Sequence, residues 1–321
     1  MSRRIGIVSS HVLNTGSVFG NPHVQTIWAN IVKRYPKIKS TRERIELTDG
    51  DFLDIELSAP GDRGVILLLH GLEGGSDSNY IKDIFAHLSG AGFQLVVLQF
   101  RGCSGVPNRL LRTYHSGHTS DLNYVAQLIR SRFGKLTAII GYSLGGNVLL
   151  KWLGENDRND LLRKAIAVSV PFDLAKSATR LGQGFSRLYQ DRLIKSLRNK
   201  YLLKAKTHKL PCDENEIRRL NSFWSFDEKL TAPIHGFSNA EDYYQKSSCQ
   251  QYLNKIGLPT LIIQSKDDPF LPVSAIPEAS RLSSNVQLML TNKGGHVGFL
   301  GRGLDASFLK DAITKFVSTV D

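Results

Sequence analysis

Three kinds of residue that together perform nucleophilic catalysis occur in this chain in an informative order. Ser143 is the centre of a Gly-x-Ser-x-Gly motif, Asp267 and Asp268 come later, and His296 follows two glycines. A serine hydroxyl is a weak nucleophile at neutral pH, so a histidine must take its proton and a carboxylate must fix the tautomer of that histidine. The order serine, acid, histidine predicts such a site.

The residues around Ser143 predict a strand, a sharp turn and a helix. An apolar, β-branched run at 136–140 precedes the motif, and apolar residues at helical spacing follow it at 148–153. Because strand and helix nearly collide at such a turn, Gly141 and Gly145 supply the room that a nucleophile elbow needs. A chance match to the motif is the alternative, and the flanking elements favour the elbow.

Either carboxylate of the acidic pair could orient the histidine. Both follow a predicted strand at 261–263, whose carboxyl end should lie at the same edge of the sheet as Ser143. Asp268 precedes Pro272 in an Asp-x-x-Leu-Pro pattern that resembles the acid turn of such sites. We therefore favour Asp268 as the acid and expect Asp267 to cap or brace the turn.

His296 is the predicted general base. It follows the last predicted strand, at 286–290, and the two glycines before it allow a tight turn that leans the imidazole over Ser143. A surface histidine is the alternative. Weaker candidates for the base, because none of them follows the acid in chain order, are His70, His115, His118, His208 and His235.

The oxygen of a tetrahedral intermediate needs hydrogen-bond donors. The predicted elbow offers the backbone N–H of Leu144, and the glycine-rich loop after a strand at 65–69 offers that of Leu72. Glu73, beside Leu72, is either a substrate contact or a solvated acid of the loop. The sequence thus predicts an oxyanion hole made of two backbone groups.

The elements that must position these residues alternate along the chain. An Asp-Gly turn at 49–50 predicts a hairpin, and amphipathic helical patterns separate the later strands. This alternation predicts an α/β fold whose central sheet is mostly parallel and covered by helices on both faces. A continuous apolar run, typical of a buried parallel strand, lies at 65–69, and further strand-like segments lie at 95–98, 136–140, 165–170, 261–263 and 286–290.

One segment interrupts the alternation. Residues 172–257 are basic and carry short helical patterns, so we predict a helical cap insertion over the carboxyl edge of the sheet. The core would then consist of an N-terminal part, 1–171, and a C-terminal part, 258–321. Within the latter we expect helices at 275–282 and 309–320, whereas residues 1–40 show no strong period.

The net charge of +12 suggests nucleic-acid binding at first sight. Much of the excess is local to the insertion, so a basic insertion is the simpler interpretation and no nucleic-acid partner is expected. The insertion could contact anionic lipid headgroups or acidic substrates at a membrane surface, and a solvated helical face is the alternative. The lysines and arginines of this segment include Lys176, Arg180, Arg187, Arg192, Lys195, Arg198, Lys200 and Lys204.

Composition bounds the compartment and the cofactors. The chain has 321 residues, no apolar run of membrane-spanning length and no signal-type apolar region in its first ten residues, which favours the cytoplasm. Its three cysteines, Cys103, Cys212 and Cys249, lie far apart, as expected of reduced thiols. None belongs to a metal-binding pattern, so we expect neither a metal site nor a cofactor.

Several motifs together resemble family 4 of the α/β-hydrolases, the YheT-like hydrolases. They are Asn-Pro-His-Val-Gln-Thr at 21–26, His-Gly-Leu-Glu-Gly at 70–74, Phe-Arg-Gly-Cys-Ser-Gly at 100–105, Tyr-His-Ser-Gly at 114–117 and Gly-Tyr-Ser-Leu-Gly-Gly-Asn at 141–147. The resemblance implies a carboxylic-ester hydrolase that uses Ser143, Asp268 and His296. Eukaryotic members act on acyl-glycerols or phospholipids and usually carry an N-terminal membrane segment, and we expect no such segment among residues 1–321.

The leading hypothesis is a cofactor-free serine esterase that forms an acyl-enzyme from short or medium acyl esters. A lipase or phospholipase whose basic cap meets anionic lipid is the main alternative. A non-catalytic binding module is the third hypothesis, and the complete set of Ser143, Asp268 and His296 argues against it.

Overall fold

The computed structural model describes residues 6–15, 20–32, 35, 37–156, 160–302 and 307–319. Within these residues nine strands form one sheet, in the order β1-β9-β8-β7-β6-β4-β5-β3-β2. The strands are β1 (Ile7–His11), β2 (Thr41–Glu46), β3 (Phe52–Leu57), β4 (Val65–Leu69), β5 (Gln94–Gln99), β6 (Leu136–Tyr142), β7 (Leu162–Val168), β8 (Thr260–Ser265) and β9 (Val286–Thr291).

Helices connect the strands, and none of those in the described residues has the length and apolar character needed to span a bilayer. The helices are α1 (Pro22–Ile27), α2 (Asn79–Gly90), α3 (Ser120–Phe133), α4 (Leu144–Glu155), α5 (Leu174–Leu181), α6 (Arg187–Lys204), α7 (Glu214–Arg219), α8 (Phe223–Phe226), α9 (Ala232–His235), α10 (Ala240–Ser247) and α11 (Ser307–Ser318).

The sheet is mostly parallel, as the alternation of elements predicts. Antiparallel pairing joins β2 to β3, in the hairpin around the Asp-Gly turn, and β3 to β5, whereas every other pairing is parallel. Apolar side chains of α3 and α4 pack on one face, and those of α2 and α11 pack on the other. The predicted fold class is therefore confirmed.

Between β7 and β8 the chain makes helices α5 to α10. Their apolar side chains form a cluster of their own, which includes Ile194, Phe226 and Tyr243 and also contacts Leu72 and Phe270. An insertion with its own small core is what a cap requires. We propose that residues 1–171 and 258–321 form the core and that residues 172–257 form the cap.

The prediction of a helix at 275–282 is wrong. The chain makes only the short 3₁₀ turns Val273–Ala275 and Ala279–Arg281, and Ile276 between them is extended, with ψ 126°. Pro277 explains the difference, because proline disfavours a helical residue before it and has no N–H to donate. The C-terminal helix ends at Ser318, and Val320 lies outside the described residues.

The strand β1, which the sequence does not predict, lies at the edge of the sheet. It pairs with β9 alone, in parallel, and Ile7 and Val8 are exposed. An edge strand with exposed apolar residues shows no clean alternation of burial, so its sequence does not stand out.

Candidate active site

Ser143 occupies the turn between β6 and α4, as predicted. Its backbone has φ 50° and ψ −117°, a region that residues with a side chain rarely adopt. A Cβ on Gly141 would lie 2.5 Å from the carbonyl oxygen of Gly145, and one on Gly145 would lie 2.6 Å from that of His70. Only glycine fits at both positions, so the crowded backbone itself fixes the turn that presents the hydroxyl.

Asp268, His296 and Ser143 form one continuous hydrogen-bonded chain. The Nε2 atom of His296 lies 2.9 Å from the Ser143 Oγ, and its Nδ1 atom lies 2.9 Å from Asp268 Oδ2 and 3.1 Å from Oδ1. Asp268 is 4% exposed and His296 6%. A carboxylate only accepts, so Nδ1 carries the proton and Nε2 is free to accept from the serine hydroxyl.

The acid turn holds its two carboxylates in different roles. Asp268 also accepts from the backbone N–H of Phe270 at 2.8 Å and from the side chain of Gln264 at 3.1 Å. Asp267 accepts from the N–H of Gly295 at 3.0 Å, so it braces the histidine loop in addition to lying in the acid turn. Burial raises the pKa of Asp267 above its usual value.

The histidine loop is anchored by a segment whose role the sequence did not reveal. Thr26 Oγ1 accepts from the backbone N–H of His296 at 2.9 Å. The buried amide of Gln25 donates to the carbonyl of Leu300 at 2.8 Å and accepts from its N–H at 2.7 Å. His23, on the same segment, contacts the Tyr189 hydroxyl at 3.1 Å. The 21–26 motif thus holds the loop that carries His296.

The two predicted oxyanion donors lie beside Ser143. Leu144 is the first residue of α4, so its N–H has no partner within the helix. The N–H of Leu72 has no protein acceptor among the described residues, and both leucines line the same cavity as Ser143. The N–H groups of the residues next to Leu72 all have acceptors. That of Gly71 donates to the hydroxyl of Tyr80, that of Glu73 to the hydroxyl of Tyr114, and that of Gly74 to the carbonyl of Gly71.

The weaker histidine candidates have other surroundings. His70 donates from Nδ1 to the carbonyl of Gly71 and accepts at Nε2 from the N–H of Phe100, and burial lowers its pKa to about 4. It is therefore a neutral brace of the oxyanion loop. The ring of His115 packs against those of His118 and His235. Among the described residues, no group of histidine, cysteine and acidic side chains is arranged to hold a metal ion.

Glu73 is not the solvated acid that one interpretation of the sequence proposes. Its side chain is 5% exposed and forms an ion pair with Lys200 of α6 at 2.7 Å. The lysine is far away in sequence, so no local pattern could have indicated the pair.

Ser143 lies between two spaces of different character. On one side is a cavity of about 110 Å³, lined mostly by apolar side chains that include Leu174, Leu197 and Phe226 of the insertion. On the other side is a cleft of about 620 Å³ whose lining includes Ser78 and Arg192. The insertion therefore covers the serine on its apolar side.

Comparison with known proteins shows the family of the chain. Residues 64–302 match the family described as "alpha/beta hydrolase fold". The chain is 38% identical over 290 residues to "Putative esterase YheT" of Escherichia coli (strain K12), covering 88% of this chain and 85% of that protein. It is 30% identical over 288 residues to "Phospholipase ABHD3" of Mus musculus, covering 86% of this chain and 70% of that protein.

A solved structure supports the fold independently. An esterase of Pyrococcus furiosus superposes with a TM-score of 0.60 at 18% identity and covers 96% of this chain and 98% of its own. The chain therefore belongs to the α/β-hydrolase family, among its YheT-like members, and is a carboxylic-ester hydrolase.

Proposed function

We propose that the chain is a serine esterase that forms an acyl-enzyme on Ser143, with His296 as general base and Asp268 as the acid that orients it. Backbone N–H groups of Leu72 and Leu144 bind the developing oxyanion. The observation that carries the proposal is the hydrogen-bonded chain from Asp268 through His296 to Ser143, which opens on a cavity lined by both leucines.

In the first half of the reaction Ser143 Oγ attacks the ester carbonyl carbon while its proton passes to His296 Nε2. The carbonyl oxygen becomes an oxyanion, and Asp268 stabilises the imidazolium that forms. Collapse of this intermediate breaks the bond to the alcohol oxygen, which takes the proton from Nε2. The alcohol leaves, and the acyl group stays bound to the serine.

In the second half water replaces the alcohol. His296 Nε2 accepts a proton from the water as its oxygen attacks the acyl carbon, and the same donors bind the second oxyanion. Collapse returns the proton to Ser143 Oγ and releases the carboxylic acid. No cofactor is needed to balance either half.

The cavity beneath the insertion favours a short or medium acyl chain. Its volume is small, and its wall includes Asp227, whose carboxylate accepts from Thr231 and from Tyr244. Burial raises the pKa of Asp227 to about 6, and the two hydrogen bonds oppose this shift. A polar wall in a small apolar cavity limits the chain length that fits without leaving buried polar groups unpaired.

A panel of p-nitrophenyl esters from acetate to laurate tests this proposal. Wild type should show its highest kcat/KM on short or medium chains, and Ser143→Ala should lose about 10⁴-fold or more on all of them. Ser131→Ala is the control, because Ser131 is an exposed serine of α3 outside the cavity lining, and it should stay within about threefold of wild type. Equal activity of Ser143→Ala and wild type would overturn the proposal.

A lipase or phospholipase acting at an anionic surface is the second candidate, and one surface favours it. Phe185 is 48% exposed and Leu188 58%, and in the sequence they lie between Arg180 and Arg192, on either side of Arg187. Phe185 also packs against Tyr189, which lines the open cleft together with Arg192. Exposed apolar side chains flanked by cations are typical of surfaces that contact anionic lipid.

Vesicles separate the two candidates. If the second holds, wild type should bind phosphatidylglycerol vesicles but not phosphatidylcholine vesicles, and high salt should weaken binding. Phe185→Ser with Leu188→Ser should abolish the binding and spare hydrolysis of soluble esters. Leu203→Ser, another exposed leucine of α6, is the control and should bind like wild type. Absence of vesicle binding by wild type would reject this candidate.

A further inference from the structure

The loop that carries the Leu72 donor is held in an unfavourable backbone conformation. Glu73 has φ 55°, which is in the left-handed region, although it has a full side chain. Residues with a Cβ adopt this region only where the surroundings impose it. The peptide that joins residues 72 and 73 must therefore be fixed by contacts beyond the loop itself.

The side chain of Glu73 supplies those contacts. Tyr114 accepts from the Glu73 N–H at 2.8 Å and donates to its Oε1 at 2.8 Å, so a single hydroxyl binds both backbone and side chain. The remaining partners belong to the insertion: Lys200 Nζ lies 2.7 Å from Oε1, and the Ser196 hydroxyl donates to Oε2 at 2.6 Å. Both residues lie on α6.

The cluster of Glu73, Tyr114, Ser196 and Lys200 is largely shielded from water. The Glu73 side chain is 5% exposed and that of Lys200 is 26% exposed. Burial alone would lower the pKa of Lys200, but Cys103 and Glu73 outweigh it and the pKa lies above its usual value. The lysine therefore stays charged opposite the carboxylate. Hydrogen bonds between charged groups in such surroundings are stronger than exposed ones.

The position of the cluster gives it a consequence for chemistry. It fixes the residue directly after Leu72, while Leu72 itself packs against the apolar cluster of the insertion. Glu73 does not reach the reacting atoms, because its two carboxylate oxygens are committed to Tyr114, Ser196 and Lys200. Displacement of α6 would remove two of these partners and leave the left-handed residue without its restraint.

We propose that Glu73 is a positioning residue that couples α6 to the oxyanion loop, so that the Leu72 N–H points at the oxyanion only while the insertion is seated. The inference rests on the proposed function, because it assigns Leu72 as a donor. The contact between α6 and Glu73 then has two effects: it keeps the insertion closed over a bound ester, and it orients the Leu72 N–H for the reaction. A cap that opened would switch off the oxyanion hole as well as expose the serine.

Steady-state kinetics on p-nitrophenyl butyrate test the coupling with variants of Glu73 and with variants of its partners on α6. Glu73→Ala, Lys200→Met and Ser196→Ala should lower kcat, the first by about tenfold to a hundredfold, and change KM by less than about threefold. Glu73→Gln should recover part of the loss, since it keeps an acceptor for α6. Lys195→Met is the control, because Lys195 is an exposed residue of the same helix, and it should match wild type.

A transition-state analogue distinguishes positioning from general destabilisation. A trifluoromethyl ketone forms a hemiketal oxyanion on Ser143, so its affinity should fall in proportion to kcat/KM across the variants. Binding of the matching non-fluorinated ketone, which stays uncharged, should change little. If Glu73→Ala does not fold, Lys200→Met and Ser196→Ala carry the same test from the other end.

Three results would overturn the coupling. The first is unchanged kcat in Glu73→Ala and in both α6 variants, and the second is a change in KM alone. The third is a lower kcat with unchanged affinity for the trifluoromethyl ketone. These results differ from failure of the proposed function, in which Ser143→Ala would be as active as wild type.

Discussion

The two halves of the site are held by different parts of the chain. Ser143 is placed by the crowded backbone between β6 and α4, where Gly141 and Gly145 leave no space for a side chain. The loop of the proposed donor Leu72 is placed by side chains from elsewhere, among them Tyr114 and two residues of α6. The proposed nucleophile is thus fixed by the core, whereas the loop of the proposed oxyanion donor depends on the insertion as well.

Variants of the acid turn, which belongs to the core, should show the largest effect on activity. Asp268→Asn should lower kcat by about 10⁴-fold, because the amide no longer fixes the Nδ1–H tautomer of His296. Asp267→Asn should lower it by no more than about tenfold, since Asp267 bonds only the backbone of Gly295 in that loop. Rate measurements on p-nitrophenyl butyrate compare the two. A larger loss in Asp267→Asn would reverse our assignment of the acid.

The anchor of the histidine loop should show an intermediate effect. Gln25→Leu removes two hydrogen bonds and leaves the buried N–H and C=O of Leu300 unpaired, which should cost about 2–4 kcal/mol of unfolding free energy. His296 lies in the same loop, so we expect kcat to fall by about tenfold with KM nearly constant. Urea unfolding and steady-state kinetics measure both quantities. Unchanged kcat in a destabilised protein would restrict the segment to a structural role.

The smallest expected effect concerns the insertion, and it is a change of unfolding free energy with pH. The raised pKa of Asp227, about 6 against the usual 3.8, means that the folded state holds its proton more tightly than the unfolded state. Its contribution to stability is therefore greatest below about pH 4 and falls as pH rises towards 6. Relative to Asp227→Asn, wild type should lose about 2 kcal/mol of unfolding free energy between pH 4.5 and 7.

Urea unfolding of both proteins at several pH values checks this expectation. The lost acceptor in Asp227→Asn shifts its stability by an amount that does not depend on pH, so only the slope of the difference is informative. A difference that stays constant from pH 4.5 to 7, or one that grows in favour of wild type, would contradict the shifted pKa.

The same contrast explains what the sequence could predict. The elbow and the parallel strands depend on small or apolar residues at fixed spacing, which the local sequence shows. The order of Ser143, Asp268 and His296 is likewise visible in the sequence. The roles of Gln25 and Glu73 depend on partners more than a hundred residues away. No local pattern records such contacts. The wrong prediction of a helix at 275–282 has a local cause. The apolar spacing there favours a helix, but Pro277 prevents it.

The central claim is that Ser143 carries the acyl group during turnover. Rapid acid quenching of wild type mixed with p-nitrophenyl butyrate, followed by intact-mass and peptide mass spectrometry, tests it most directly. We predict one added butyryl group, located on the peptide that contains Ser143 and absent from Ser143→Ala. A butyryl group on another residue, or hydrolysis by Ser143→Ala at the wild-type rate, would contradict the account.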